Sequence, residues 1–275
     1  MKFEDSNYIL KESGERELFD IKKLKNSLSK SKVPENLQKL IIDEIKKHRP
    51  FKSTKQIYNF VHNFLQKHHR GSAGHYNLKN AIMQLGPSGY PFEKFIAEIL
   101  YADGFDVEIN MIVDGKCVSH EIDASATKNK QRFMIECKYH NSQRLKVNVK
   151  IPLYITGRFE DIQARSHTFH QSWIFTNTKF TSQAIQYSRC SNIKLTGWNY
   201  PKNESLAILI DRLKLHPITA LSSLTKKQKK EFLYRGLVLC RDVLKNKQAL
   251  KNMRIPENRI SRIIEEAEAI CQLKK

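Results

Sequence analysis

Apolar residues recur along this chain in two rhythms, and the change from one to the other divides it. Up to about Leu85 the spacing is helical: Ile21, Leu24 and Leu28, then Leu37, Leu40, Ile41 and Ile45, then Ile57, Phe60, Val61, Phe64 and Leu65. Tyr76, Leu78, Ile82 and Leu85 predict a last helix of this set. Pro34 fits a first-turn position, and Ser53 or Thr54 fits a cap. Ahead of them Tyr8-Ile9-Leu10, a turn at Ser13-Gly14 and Glu17-Leu18-Phe19 predict a hairpin. His68 to His75 reads as an exposed basic loop, since adjacent histidines lack the spacing of a zinc site. Gly86-Pro87-Ser88-Gly89 marks a boundary.

Beyond it the rhythm shortens. A helix over about 91–102, with Phe92, Phe95, Ile96, Ile99 and Leu100 as its buried stripe and Gly104 as its terminator, leads into strands. These are expected over 105–109, 111–113 and 118–124, with Asp114-Gly115 as a hairpin turn, and again over 132–139. A core strand over 172–176, a helix opening at Thr181 and a strand over 193–195 complete an α/β layer. The last sixty residues return to helical spacing, with Leu221, Leu224, Phe232 and Leu233 in one candidate pair and Ile260, Ile263, Ile264, Ala267 and Ile270 in another. The fold class expected is α+β, divided as 1–86, 87–215 and 216–275.

Charge narrows the partners. Of 275 residues, 48 are basic and 28 acidic, a formal charge of +20, and the excess is spread along the chain. Such a surface favours a polyanion, most commonly nucleic acid. Residues from Pro217 onward hold fourteen basic against six acidic side chains, with a basic run at Lys226-Lys227-Gln228-Lys229-Lys230; a paired-helix nucleic-acid module, a solvated cap and a dimer contact all fit. No apolar run approaches membrane-spanning length, and Met1 to Asp5 do not open a signal peptide. Five widely spaced cysteines without C-x-x-C indicate neither a disulfide frame nor a zinc knuckle, and point to a reducing cytoplasm.

The candidate chemistry lies between His120 and His140. In a strand over 132–139, Glu136 and Lys138 share one face while Phe133, Ile135 and Cys137 take the other. If Asp123 ends the neighbouring strand, its carboxylate comes beside Glu136, and two close carboxylates repel unless a proton or a cation lies between them. On the preceding helix Glu93 and Glu98 are separated by about 140°, so only one of them can face that spot.

Gly89-Tyr90-Pro91-Phe92-Glu93, Gly104-Phe105-Asp106-Val107, Glu121-Ile122-Asp123-Ala124 and Ile135-Glu136-Cys137-Lys138 together resemble the PD-(D/E)xK nuclease core, nearest to the Mrr-like restriction endonucleases. The resemblance selects Glu93 as the helix acid. It implies that Asp123, Glu136 and the backbone carbonyl of Cys137 hold Mg²⁺ or Mn²⁺, with Lys138 beside the attacking water. Lys146, Lys150 and Arg158 would lie where phosphate can use them. Lys11 to Gly14, Glu17, Phe19, Lys23, Thr54, Ile57 and Tyr76 resemble the ATP-cone, a nucleotide-sensing module, with Glu12 in place of an arginine and Tyr58 where some members carry histidine. That second resemblance implies ATP or dATP as effector, bound near Lys11, Glu17, Lys23, Thr54 and Tyr58.

The expected activity is therefore nucleotide-regulated, Mg²⁺-dependent endonuclease cleavage of DNA in a restriction or defence setting, by a chain able to form homo-oligomers. Two other classes remain: an ATP- or dATP-responsive DNA-binding regulator with a silent core, and a nuclease acting on RNA or junctions.

Overall fold

In the computed structural model the described residues are 8–11, 14–48 and 50–272; Met1 to Asp5, and Glu12 and Ser13 of the expected turn, lie outside them. The chain opens with the hairpin β1 (Tyr8–Leu10) and β2 (Arg16–Leu18), followed by α1 (Ile21–Lys30), α2 (Glu35–Lys47) and α3 (Thr54–His68). Ser53 rather than Thr54 caps α3, its side chain accepting the N–H of Gln56. Leu28, Ile41, Val61 and Leu65 form a core of their own here, joined by Ile9 from the hairpin.

The segment expected as a basic loop is instead α4 (Arg70–Tyr76), and α5 (Leu78–Ile82) follows as a separate short helix. Gly71, Ser72, Ala73 and Gly74 are buried. Their small size, which suggests a loop, serves packing: a Cβ at Gly74 would stand 2.5 Å from the Ile270 side chain of the last helix.

The second region centres on a five-stranded mixed sheet. After α6 (Tyr90–Ala102) come β3 (Asp106–Asp114), β4 (Ser119–Lys128), β5 (Gln131–Lys138), the short β6 (Lys146–Val147), α7 (Lys150–Arg165), β7 (Gln171–Thr176), the short β8 (Lys179–Phe180), α8 (Ser182–Cys190), β9 (Lys194–Thr196) and α9 (Leu206–Leu213). The sheet order is β3-β4-β5-β7-β9, antiparallel as far as β5 and parallel beyond it. Strand alternation divides the two faces. Phe133, Ile135, Trp173 and Phe175 pack with Phe92, Phe95 and Ile96 of α6, whereas Met134 and Ile174 pack with Ile155 and Ile162 of α7. The two strands expected over 105–109 and 111–113 are the single strand β3, in which Asn110 takes a left-handed φ of 53° and the pairing with β4 skips one position before resuming in the same register.

The final helices are α10 (Lys226–Tyr234), α11 (Cys240–Lys245), α12 (Lys247–Asn252) and α13 (Glu257–Gln272). A full capping box, Thr225 with Gln228, starts α10, which leaves Leu221 and Leu224 outside the helix. Phe232, Leu239, Val243 and Ile263 belong to the same core as Phe92 and Ile135, so these helices complete the α6 side of the sheet. Lys32 and His75 of the first region both meet Asp211 of α9. Among the described residues no helix is long and apolar enough to cross a membrane.

Candidate active site

Asp123 does not end a strand; it sits inside β4, at the point where the ladder to β5 stops. That ladder runs only from Ala124 opposite Ile135 to Lys128 opposite Gln131. Ile122 and Ala124, two apart, should share a face, yet Ile122 lies on the α7 side and Ala124 on the α6 side. β3 shows the same slip across from them: Val107 goes with α6, Met111 with α7, and the left-handed Asn110 stands between. Where the strands part, the Asp123 carboxylate replaces the missing ladder bond and accepts the backbone N–H of Cys137 at 2.6 Å. The acid is thereby held against the strand that carries Glu136 and Lys138.

On the other side of Glu136 is α7. Arg158 donates from Nη1 to Glu136 Oε2 at 2.8 Å and from Nη2 to the Tyr154 hydroxyl at 2.7 Å, with its guanidinium 4.7 Å from the Tyr154 ring centre. Tyr154 and Arg158 are four residues apart, one helical turn, which sets the fork. Arg158, expected near phosphate, is thus turned onto the acid, while Lys146 and Lys150 are exposed. The Lys138 ammonium forms no ion pair or hydrogen bond among the described residues.

Three carboxyl groups feel one another here. Burial, then Asp123, Glu136 and Glu121, push Glu93 up to about 7. Glu136 also rises to about 7; burial and Asp123 outweigh the opposing pull of Arg158 and Lys138. Asp123 is raised by burial, against the Cys137 N–H and Arg158, which favour its charged form. Glu98, the acid set aside on α6, binds Arg241 at 3.0 Å on the other side of the helix. The Cys137 thiol is buried in the α6-side core and pushed well above its ordinary range, so this residue can offer only backbone atoms to a metal.

A hard divalent cation suits this donor set. Among the described residues no three His, Cys, Asp or Glu side chains gather closely enough to enclose a metal by themselves. Mg²⁺, however, commonly takes one or two carboxylates and fills its shell with water. Two raised, mutually repelling carboxyls of oxygen chemistry fit that ion, although Arg158 holds one oxygen of Glu136 and a metal there must compete with it.

Supports around the site escaped sequence reasoning. Asp161 of α7 accepts the N–H groups of Cys117 at 2.9 Å and Val118 at 3.3 Å and binds His120 Nε2 at 2.8 Å, which clamps the β3–β4 turn onto the helix. Gly115 leaves the room this clamp needs, since a Cβ there would approach the Val118 carbonyl to 2.7 Å and overlap the Asp161 carboxylate. The Tyr139 hydroxyl accepts the Gly86 N–H at 2.9 Å and donates to the Met83 carbonyl at 2.8 Å, fixing the approach to α6 and Glu93. Glu121 had no signal beyond its place beside Asp123.

In the first region the residues expected near a nucleotide do meet. Glu17 bridges Lys11 at 2.8 Å and Lys23 at 2.9 Å, which hold its carboxyl below the usual range, Lys11 more strongly. Glu17, Lys23, Thr54, Tyr58 and Tyr76 line a hollow of about 170 Å³.

Comparison with known proteins gives two family matches: residues 86–199 match a restriction endonuclease family, and residues 216–271 match the AF1548-like, C-terminal family. Both ranges lie beyond residue 85, so neither match supports the ATP-cone expected over the first region. An uncharacterised protein of Archaeoglobus fulgidus is 39% identical over 176 residues, which cover 64% of this chain and 99% of the relative. The crystal structure of AF1548, a protein of unknown function, superposes with a TM-score of 0.58 at 38% identity, covering 67% of this chain and 98% of that one.

Proposed function

Since this chain belongs to the AF1548-like family and carries a restriction-endonuclease domain, we propose that it hydrolyses DNA phosphodiester bonds with Mg²⁺ or Mn²⁺ at Asp123 and Glu136. The observation that carries the reading is the hydrogen bond from Cys137 N–H to Asp123, which brings this acid to the strand of Glu136 and Lys138 inside the nuclease range. The bound metal supplies Lewis acidity toward the phosphate and lowers the pKa of a water. Asp123, Glu136 and the Cys137 carbonyl hold it, and Glu93 acts as an outer acid through water. Lys138, uncommitted to any other group, steadies the nucleophilic oxygen and offsets charge on the phosphate as it becomes five-coordinate. Arg158 favours the ionised form of Glu136 and holds it in place. A restriction or defence role agrees with the matched family.

The test is incubation with plasmid, single-stranded DNA and RNA, with Mg²⁺, Mn²⁺ or EDTA, beside Lys138→Ala. Metal-dependent nicking of DNA that vanishes in the variant is expected; cutting in EDTA, or cutting that survives the substitution, would refute the mechanism. Preference for RNA would move the activity to another substrate, and metal-dependent DNA binding without cutting would favour a silent core.

A regulatory reading has its own support in the hollow that gathers Glu17, Lys23, Thr54 and Tyr58. There ATP or dATP would exchange Glu17 for phosphate as the partner of Lys11 and Lys23. Calorimetric titration of both nucleotides against wild type and Lys23→Ala tests this, with loss in the variant of the component that belongs to this hollow expected.

A further inference from the structure

A second, larger cavity of about 800 Å³ lies where α3, α5 and α10 face one another. It shares Thr54 and Tyr58 with the small hollow but is otherwise built differently. Its volume falls in the range of about 300–1,000 Å³ usual for small-ligand sites, whereas the hollow lies below it. Its lining is cationic: Lys55, Lys79 and Lys229 contribute ammonium groups, and no aspartate or glutamate is among the lining residues. None of the three lysines forms an ion pair among the described residues.

Two of these lysines are also partly buried. Lys79 donates to the Asn177 carbonyl and Lys229 to the Thr219 carbonyl, both at 2.7 Å, so each ammonium is met by a neutral acceptor. Burial depresses both, Lys79 to about 8 with help from Lys179. Among the described residues no carboxylate offsets Lys79, and for Lys229 the nearby Glu266 charge does not outweigh burial; a sheltered ammonium left so is unfavourable unless an anion joins it. Beside them His62 has a buried Nε2 with no hydrogen-bond partner. Its ring lies parallel to Tyr58, 5.7 Å away, and Tyr58 stacks on Tyr76 at 5.3 Å. Asn59, Asn80 and Gln84 add amide donors and acceptors of the kind that read the edge of a base or a sugar.

We propose that this cavity binds a phosphorylated ligand of nucleotide size, with Lys79 and Lys229 on the phosphate and His62 and the amides on the ring or sugar. The same chemistry is offered by a free mononucleotide and by the phosphorylated end of a nucleic-acid strand. The site has a short route to the catalytic strand. Lys79 holds the Asn177 carbonyl, and the Asn177 side chain accepts from His140 N–H at 2.9 Å and donates to the His140 carbonyl at 2.8 Å, two residues beyond Lys138. The inference goes beyond the nuclease reading and stands or falls apart from it, because its readout is binding.

The experiment is calorimetric titration of the full chain with ATP, AMP, a 5′-phosphorylated dinucleotide and adenosine. It compares wild type, Lys79→Met, Lys229→Met and Lys23→Ala, the last of which disables only the smaller hollow. AMP and the dinucleotide should bind wild type and Lys23→Ala alike, ATP should keep one binding component in Lys23→Ala, and every phosphorylated probe should bind either methionine variant about tenfold or more weakly at that component and outcompete adenosine. AMP tighter than the dinucleotide identifies a free nucleotide as occupant, and the reverse order a strand end. Because a methionine variant can lose its fold, wild-type protein is also acylated at pH 8 with and without probe, and each lysine is followed by mass spectrometry. Shielding of Lys79 and Lys229 by the phosphorylated probes is expected. Absence of binding, equal affinity for adenosine, loss of all binding in Lys23→Ala, or no shielding of these lysines would overturn the proposal.

Discussion

Replacing Glu136 by glutamine should make the metal-free protein more stable at alkaline pH, although the residue sits in an ion pair. The folded carboxyl is raised from 4.5 to about 7, so between those values the native state binds more protons than the unfolded chain. Stability therefore falls as pH rises through that window, and the whole penalty is present above pH 7. Each tenfold change in proton affinity is about 1.36 kcal/mol, so the buried charge costs roughly 3 kcal/mol. Arg158 returns part of the gain in the variant, because its guanidinium then meets a neutral amide. The net advantage of Glu136→Gln at pH 8 is expected to be about 1–3 kcal/mol, shrinking to near zero at pH 4.5. Urea unfolding in EDTA, followed by the fluorescence of the buried Trp173, measures it at both values. Added Mg²⁺ should then narrow the gap, since it binds the wild-type native state. A variant less stable than wild type at pH 8, or a difference of the same size at both pH values, would show that the ion pair and not the buried charge dominates, and the argument would fail.

Lys138→Ala should cut cleavage by about a hundredfold or more while leaving the urea midpoint within about 0.5 kcal/mol of wild type, as its ammonium holds nothing else in place. Arg158→Met removes the cation that competes for Glu136, so calorimetry should find Mg²⁺ bound more tightly; weaker binding would mean that Arg158 assists the metal. Asp161→Asn should speed amide exchange at Cys117 and Val118 without a matching change in the sheet. The Asp161 carboxyl is held at about 2, chiefly by His120, so in wild type this clamp should persist above pH 4 and be lost only as pH falls through that value.

The sequence made part of the site visible for a physical reason: strand alternation. Because Phe133, Ile135 and Cys137 had to face a core, Glu136 and Lys138 had to stand together on the other side, and they do. The partnership with Asp123 was readable as a need for proximity but not as geometry. It depends on a slip of one face at Asn110 and Asp123; asparagine tolerates the left-handed φ that Asn110 adopts, but nothing in the strand's pattern says that it will be used there. Arg158 was visible only as a cation expected near phosphate; the helix that sets it one turn from Tyr154 was not expected, and its choice of Glu136 over solvent is tertiary. The misread stretch from Arg70 to Tyr76 shows the limit most plainly. Gly71 and Gly74 have poor helix propensity, and their small size lets the helix from the far end of the chain lean on them.

The sheet of this protein has two roofs of unequal origin. One is made of α7 and α8, encoded among the strands they cover; the other needs α6 together with helices encoded after the last strand. A polypeptide emerging from the ribosome would therefore have its whole sheet synthesised before Phe232 and Ile263, members of the same buried cluster as Trp173 and Phe175, exist. The cutting machinery cannot mature until translation is nearly finished, and a prematurely terminated chain would expose greasy sheet surface instead of releasing a loose nuclease.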